Sequence, residues 1–370
     1  MPAVSQSLIG TYNDKYIVRL FVIMEVPSLK IVILAGGKGT RSWPRSNDDL
    51  PKQFLPFLSK QTLIQETVNR FRDFVPASRL FIALPRHYLP LLKEQLPDFP
   101  PNQLIVEPMQ KDTAACIALT VFHFLQIMDD EPVAFVPSDQ FIADKEAFLA
   151  AVSAAADVAM LPDAIVTLGV RPDRAETGFG YLLTAPDSDA GEASSVSGIR
   201  RVARFLEKPD EEKARQFMNE PDIFWNSGIL ICRPENMARC IQSFEPAIWN
   251  LLSQNPSNPD TAYAGMPRLS IDYAVLEKAK TIYCLPVNCG WDDIGSWGSL
   301  LRHLPSDPNG NVTHGEVDLM KAAGNLVFVD NKKAVIIGVN DLIVASTLNG
   351  LLICPKSEEP RLKKWLSAAK

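Results

Sequence analysis

From Lys30 to Val170 the chain alternates short β-branched runs with stretches of helical periodicity. Ile31–Ala35, Leu80–Leu84, Gln103–Glu107, Pro132–Val136 and Ala164–Val170 read as strands. Gln61–Phe74, Tyr88–Leu96, Asp112–Met128 and Lys145–Met160 read as the helices between them. A strand that returns through a helix to the next strand builds an α/β fold with a doubly wound, mainly parallel, Rossmann-like sheet. Ligands of such sheets bind outside the carboxyl ends of the strands. The loop after Ala35 and the pair Ser138-Asp139 both fall there.

Beyond residue 170 the pattern changes. Glycines, prolines and short strands run to Leu206, with a Ser/Asp/Gly/Ala stretch at 186–198. Helical periodicity returns at Glu211–Asn219 and Pro234–Leu252. After Gly310 short β segments are expected at Asn325–Val329, Ala334–Val339, Leu342–Ser346 and Leu351–Cys354. Turns are expected at Asp330-Asn331, Asn340-Asp341 and Asn349-Gly350, with a short helix at Leu362–Leu366. The expected organisation is an extension over 1–28, a main domain over 29–305, and a small β-rich appendage over 306–370, which either packs on the core or forms a homodimer.

At the N-terminus, Tyr16–Ile23 is apolar but broken by Arg19 and too short to span a bilayer. It has no basic leader region or cleavage site. Residues 1–23 are therefore expected outside the catalytic fold, with Met24 as an internal start. A cytoplasmic protein without a membrane partner follows.

Composition excludes several classes. There are 37 Lys and Arg against 43 Asp and Glu, a net charge of −6. That balance argues against a general nucleic-acid partner, which needs a basic surface to displace counterions. The six cysteines include no C-x-x-C pair and the four histidines are scattered, so no zinc site is legible. Reduced thiols are expected.

The strongest local signal is LAGGKGTRSWPR, Leu34 to Arg45, followed by PKQF, Pro51 to Phe54. A strand runs straight into glycines, which allow close backbone approach and positive φ. Successive backbone N–H groups can then face phosphate oxygens, and Arg41 and Lys52 add full positive charge. The segment lacks the Lys-Ser/Thr ending of a P-loop and the G-x-G-x-x-G spacing of a dinucleotide fold. On its own it is equally a tight turn with solvated basic residues.

Further blocks make the resemblance specific. They are EPMQKDTAA (Glu107–Ala115), VPSDQ (Val136–Gln140), ETGFGY (Glu176–Tyr181), FLEKPD (Phe205–Asp210), WNSGI (Trp225–Ile229), SIDYAVLEK (Ser270–Lys278) and GWDDIGSW (Gly290–Trp297). With the glycine loop and PKQF, in this order, the chain resembles the nucleoside-diphosphate-sugar pyrophosphorylase family, in its mannose-1-phosphate guanylyltransferase branch. The resemblance covers about residues 29–305 and implies a nucleotidyltransferase core. It implies GTP and mannose 1-phosphate as substrates, GDP-mannose and pyrophosphate as products, and Mg²⁺ as cofactor.

Residue by residue, the resemblance places the nucleotide on Leu34, Ala35, Gly36, Gly37, Gly39, Thr40, Arg41, Lys52 and Asp139. It places Mg²⁺ on Asp139 and Asp293, a hard cation needing only one or two carboxylates beside phosphate and water. Asp293, rather than its neighbour Asp292, matches the family position. Gly178, Gly180, Tyr181, Glu207, Lys208 and Asn226 are implied at the sugar, and Arg41, Lys52 and Lys208 are the implied catalytic cations. Any one of these residues alone has a plainer explanation as a cap, a turn or a surface ion pair.

The blocks leave alternatives open. Lys111-Asp112 stands where the branch has Arg-Asn, and Gln140 where it has His, in segments expected to touch the nucleotide. Another nucleoside triphosphate or hexose 1-phosphate therefore stays open. A non-catalytic regulatory homologue would lack the carboxylates or lysines, all of which are present. A dinucleotide-dependent oxidoreductase lacks its glycine spacing. Some relatives carry a cupin-type isomerase domain, for which 306–370 is too short, so no isomerase activity is expected.

Overall fold

The computed structural model describes residues 28–37, 39–185, 193 and 196–368. The expected N-terminal extension, apart from Ser28, and most of the 186–198 stretch lie outside the described residues. The five expected strands are present as β1 (Lys30–Leu34), β2 (Leu80–Pro85), β3 (Leu104–Glu107), β4 (Val133–Pro137) and β6 (Ile165–Val170), joined by β5 (Gln140–Phe141), β7 (Gly180–Thr184), β8 (Arg200–Glu207), β9 (Ile223–Cys232), β10 (Ile282–Pro286) and β11 (Asp292–Asp293). All but β5 and β11 form one nine-stranded sheet in the order β3-β2-β1-β4-β9-β6-β10-β8-β7. β1, β2, β3, β4, β6, β7 and β10 run one way, and β8 and β9 run the other. The doubly wound half is thus joined to a mixed half, in which β9 is inserted between β4 and β6.

Helices cover both faces. α1 (Leu63–Phe71), α2 (Leu89–Gln95) and α4 (Lys145–Ala159) pack with Ile31 and Ile33 in one core. α3 (Thr113–Gln126), α6 (Pro234–Phe244), α7 (Pro246–Gln254) and α8 (Pro259–Gly265) pack with Val32 in the other. The division follows from the strand period, which sends alternate side chains of β1 to opposite faces. α5 (Glu211–Phe217) starts at Asp210, whose carboxylate accepts the Lys213 amide at 2.9 Å.

One helix was expected over Pro234–Leu252, but two form. Proline has no N–H to donate and bars the residue before it from helical geometry. Glu245 accordingly sits at φ −137°, ψ 60°, and α7 restarts at Pro246. Among the described residues no helix is long and apolar enough to cross a membrane.

After the short α9 (Trp297–Leu301), the appendage has four strands: β12 (Val312–Met320), β13 (Leu326–Ile337), β14 (Leu342–Thr347) and β15 (Gly350–Pro355). The expected turn at Asp330-Asn331 does not form; β13 runs through it. β12 pairs with both its first and its last part, with a register shift between His314 and Glu316, while β14 pairs only with Leu326–Val329, so the two polar residues mark where pairing with β14 ends. β12, β13 and β14 pair in parallel although only residues 321–325 separate the first two. They are successive turns of a coil, not strands linked by helical crossovers. Buried asparagines stack along it: the Asn325 amide donates to Asn311 Oδ1, and Leu342 N donates to Asn325 Oδ1, each at 3.0 Å. α10 (Leu362–Ala368) closes the chain. Leu326, Phe328, Ile343, Leu352 and Leu362 share one apolar cluster with Leu55, Phe57, Ile294 and Trp297. The appendage therefore packs directly on the main domain.

Candidate active site

The glycine loop leaves β1 at Leu34. Gln53 Nε2 donates to the carbonyls of Ala35 (2.9 Å) and Gly37 (3.0 Å), and Gln110 Nε2 donates to that of Gly36 (2.6 Å). Gly39 has φ +62°, and a Cβ there would lie 2.4 Å from Cβ of Lys52. Glycine thus lets the loop and the PKQF segment touch.

That contact brings Lys52 to the carboxylates. Its buried ammonium pairs with Asp139 Oδ2 at 2.8 Å and Asp293 Oδ1 at 3.2 Å. Burial works against the charge, but the two aspartates outweigh it and raise Lys52 above the ordinary lysine range. Asp139 follows β4, and Asp293 pairs with Gln140 in the two-residue ladder β5–β11. Arg41 Nη2 lies 3.4 Å from Asp293 Oδ2. A Cβ on Gly295 would stand 2.8 Å from Arg41 Nη2, so the absence of a side chain there admits the guanidinium. Among the described residues no group of three or more His, Cys, Asp or Glu side chains could hold a metal.

Asp292 faces elsewhere. Its buried carboxylate accepts from Arg174 (2.9 Å), Arg302 (2.7 Å) and His303 (2.8 Å). Arg174 in turn lies over Trp225, 4.7 Å from the ring centre. Burial alone would raise Asp292, but His303, Arg302 and Arg174 hold it far below the usual carboxylate range.

A cleft of about 700 Å³ opens over these groups. Leu34, Gly36, Gly37, Gly39, Thr40, Arg41, Lys52, Asp139 and Asp293 all line it. Ala35 does not: it is fully buried, and its carbonyl is held by Gln53.

The cleft is also lined by Asp112, a departure noted in the sequence, and by residues that the sequence did not single out: Glu107, Gln110, Cys116 and Arg268. Glu107 is buried, with Tyr263 donating to Oε2 at 3.3 Å and the Cys116 thiol also bonded to it. Burial pushes Glu107 up to about 7, against the pull of these two donors. Asp112 caps α3, accepting the Thr113 amide at 2.8 Å. Of the two departures in the block Glu107–Ala115, Asp112 lines the cleft and Lys111 does not. Lys111 donates to the Met266 carbonyl at 2.9 Å and so fixes the segment carrying Arg268. Gln140 was expected near the nucleotide. It is buried away from the cleft and donates to the Ser227 carbonyl.

The residues expected at the sugar form a second cluster. Lys208, at φ +47°, pairs with Glu207. Burial opposes its charge, but Glu207 and Asp272 raise it above the ordinary value. Asn226 Oδ1 accepts from Thr167 at 2.7 Å, and its Nδ2 donates to Asp272 Oδ1 at 3.3 Å. Asp272 is pushed up to about 6 by burial and by Glu207. A Cβ on Gly180 would stand 2.6 Å from Glu207 Oε2, and one on Gly178 would stand 3.6 Å from Arg41 Nη1. Gly178 thereby ties this cluster to the cleft. Tyr181 differs from expectation: its ring is fully buried beside Phe217, and its hydroxyl donates to the Glu176 carbonyl at 2.8 Å.

Residues 30–309 match the nucleotidyl transferase family. The chain is 34% identical over 347 residues to the mannose-1-phosphate guanylyltransferase of Salmonella muenchen, covering 90% of this chain and 72% of the other. It is 32% identical over 344 residues to the alginate biosynthesis protein AlgA of Pseudomonas aeruginosa, covering 90% and 70% respectively. A crystal structure described as mannose-1-phosphate geranyltransferase from Thermus thermophilus superposes with a TM-score of 0.82 at 29% identity. It covers 92% of this chain and 99% of the other.

Proposed function

This chain belongs to the nucleotidyl transferase family, and on that premise we propose that it transfers a guanylyl group from GTP to mannose 1-phosphate, forming GDP-mannose and pyrophosphate. The observation that carries this reading is the convergence of Lys52, Asp139 and Asp293 at the mouth of the glycine loop. A phosphate oxygen of the sugar phosphate attacks the α-phosphorus of GTP in line, and pyrophosphate leaves. The nucleophile is already anionic at neutral pH, so no general base is required. The barrier is the meeting of two polyanions, and positioning with charge neutralisation lowers it.

The proposed roles are these. The loop from Gly36 to Arg41 receives the triphosphate, with Arg41 toward the leaving pyrophosphate and Lys52 toward the α-phosphate. Lys208 receives the phosphate of the sugar, and Glu207, Asn226 and Asp272 meet its hydroxyls. Asp139 and Asp293 would hold Mg²⁺. Both offer hard oxygen donors within 3.2 Å of the Lys52 ammonium, a point already selected for positive charge. Bound there, the ion supplies charge neutralisation for the triphosphate.

The buried Glu107 supports guanine. Guanine presents N1–H and N2–H donors side by side, and an ionised carboxylate accepts both. Adenine presents a single donor, its N6 amino group, beside an acceptor at N1, so one carboxylate oxygen would face a lone pair. A pyrophosphate-release screen over four nucleoside triphosphates and several hexose 1-phosphates tests the assignment. Release fastest with GTP and mannose 1-phosphate is expected; a preference for another base or another sugar would overturn that part of it.

A further inference from the structure

The nucleotide loop has two sides. Gly39, Thr40 and Arg41 line the cleft, and the segment that follows them, Trp43 to Arg45, is held by the C-terminal β unit. The Pro44 carbonyl accepts from Thr347 Oγ1 at 2.9 Å and from Asn349 Nδ2 at 3.1 Å, both at the β14–β15 turn. Gly350, which opens β15, lies bare against the Trp43 indole; a Cβ there would stand 2.7 Å from the ring. The Trp43 carbonyl accepts from Trp297 Nε1 at 2.9 Å. Glu359, also from the C-terminal unit, accepts the Gly298 amide with both oxygens, at 2.9 and 3.1 Å. The loop and the first turn of α9 are therefore gripped from one unit that contributes nothing to the cleft lining.

We infer that the β14–β15 turn of the C-terminal unit is a positioning clamp for the nucleotide loop, acting through Thr347, Asn349 and Gly350 on Trp43–Pro44. Ordinary packing of two domains needs apolar burial, and Phe328, Ile343 and Leu352 supply it. The polar bonds to Pro44 have a further consequence. They fix a main-chain carbonyl three residues from Arg41, in a segment closed by short-range bonds among Gly39, Thr40, Ser42, Trp43, Arg45 and Ser46 and tied to the main domain at Trp43 by Trp297 and at Arg45 by the Pro56 carbonyl. Short turns are weakly protected on their own, and the two bonds to Pro44 hold the point between the ties at Trp43 and Arg45. Thr347, Asn349 and Gly350 are positioning residues, since none of them lines the cleft.

The test uses the full chain with Thr347→Val and Asn349→Ala combined, and Gly350→Ala as an independent variant. Hydrogen exchange at residues 39–46 is measured without substrate, and steady-state kinetics with GTP and mannose 1-phosphate. Removing two hydrogen bonds from Pro44 is expected to speed exchange there about tenfold and to raise KM for GTP several-fold, with KM for mannose 1-phosphate held within about twofold. Gly350→Ala is expected to shift both readouts in the same direction. Unchanged exchange in both variants overturns the clamp. Faster exchange with an equal rise in both KM values, or in neither, overturns its positioning role. The kinetic arm rests on the assignment of GTP to this loop; the exchange arm does not. A wild-type chain that releases no pyrophosphate from GTP would refute that assignment and leave the clamp to be decided by exchange.

Discussion

Asp292 and Asp293 are neighbours in β11 with opposite surroundings: Asp292 is buried against Arg174, Arg302 and His303, and Asp293 meets Lys52 and Arg41 at the cleft. The strand period separates them, sending consecutive side chains to opposite faces.

Their asparagine variants should therefore fail in different ways. Asp293→Asn is expected to lower pyrophosphate release by a factor on the order of a hundred or more while the melting temperature stays close to wild type. A rate near wild type would refute its place at the metal. Asp292→Asn leaves two guanidinium groups facing a neutral amide and is expected to cost about 3–5 kcal/mol of stability. The Asp292 contribution is present above the ordinary carboxylate range and is lost as pH falls below it. The deficit of Asp292→Asn should accordingly shrink between pH 7 and pH 3, as followed by thermal melts.

Lys208→Ala tests the division of labour between the two clusters. On the proposed role of Lys208 at the sugar phosphate, its loss should raise KM for mannose 1-phosphate by about ten- to a hundredfold. KM for GTP should change little. The reverse ordering would assign Lys208 to the nucleotide.

Glu107→Gln tests the base. Exchanging an ionised acceptor for an amide should reduce kcat/KM for GTP by about ten- to a hundredfold and narrow the preference for GTP over inosine triphosphate, which lacks the 2-amino group. In the wild type, KM for GTP should rise as pH falls through about 7, where the carboxylate protonates; the glutamine variant should show no such rise. The stability effect has the opposite sign. A carboxylate with a raised pKa favours folding most when protonated, so wild-type stability from this site is lost as pH rises from the ordinary range through about 7. Thermal melts should show Glu107→Gln gaining on wild type across that window.

Gly39→Ala tests the contact that seats Lys52. The new methyl meets Lys52 Cβ at 2.4 Å on a backbone with φ +62°. A loss of about 1–3 kcal/mol is expected, together with a large drop in turnover. Gly37→Ala meets nothing within 4 Å and is the matched control, expected to melt like wild type.

The sequence made the glycine loop, Lys52, Asp139 and Asp293 legible because each lies in a compact block with a local pattern. It could not show that Lys52 joins the two carboxylates, since Asp293 is 241 residues away. Glu107 stood in a quoted block, yet only the fold encloses it with Tyr263 and Cys116, which belong to other elements. Asp272 was hidden in the same way until the fold brought it to Asn226. Tyr181 was misplaced because alternation along β7 turns its ring into the core while its glycine neighbour faces Glu207. The break at Pro246 was written in the sequence, and the proline rule locates it. The continuity of β13 was not, because Asp330-Asn331 has turn chemistry and only the pairing with β12 and β14 keeps the strand extended.

The ladder between β5 and β11 is two residues long, and Asp139 directly precedes it. Two carboxylates from distant parts of the chain are in effect riveted to a single small plate. Any movement of the elements around the ladder carries both carboxylates together. The spacing of the two carboxylates is then set by the ladder itself and not by the long stretch of chain between them.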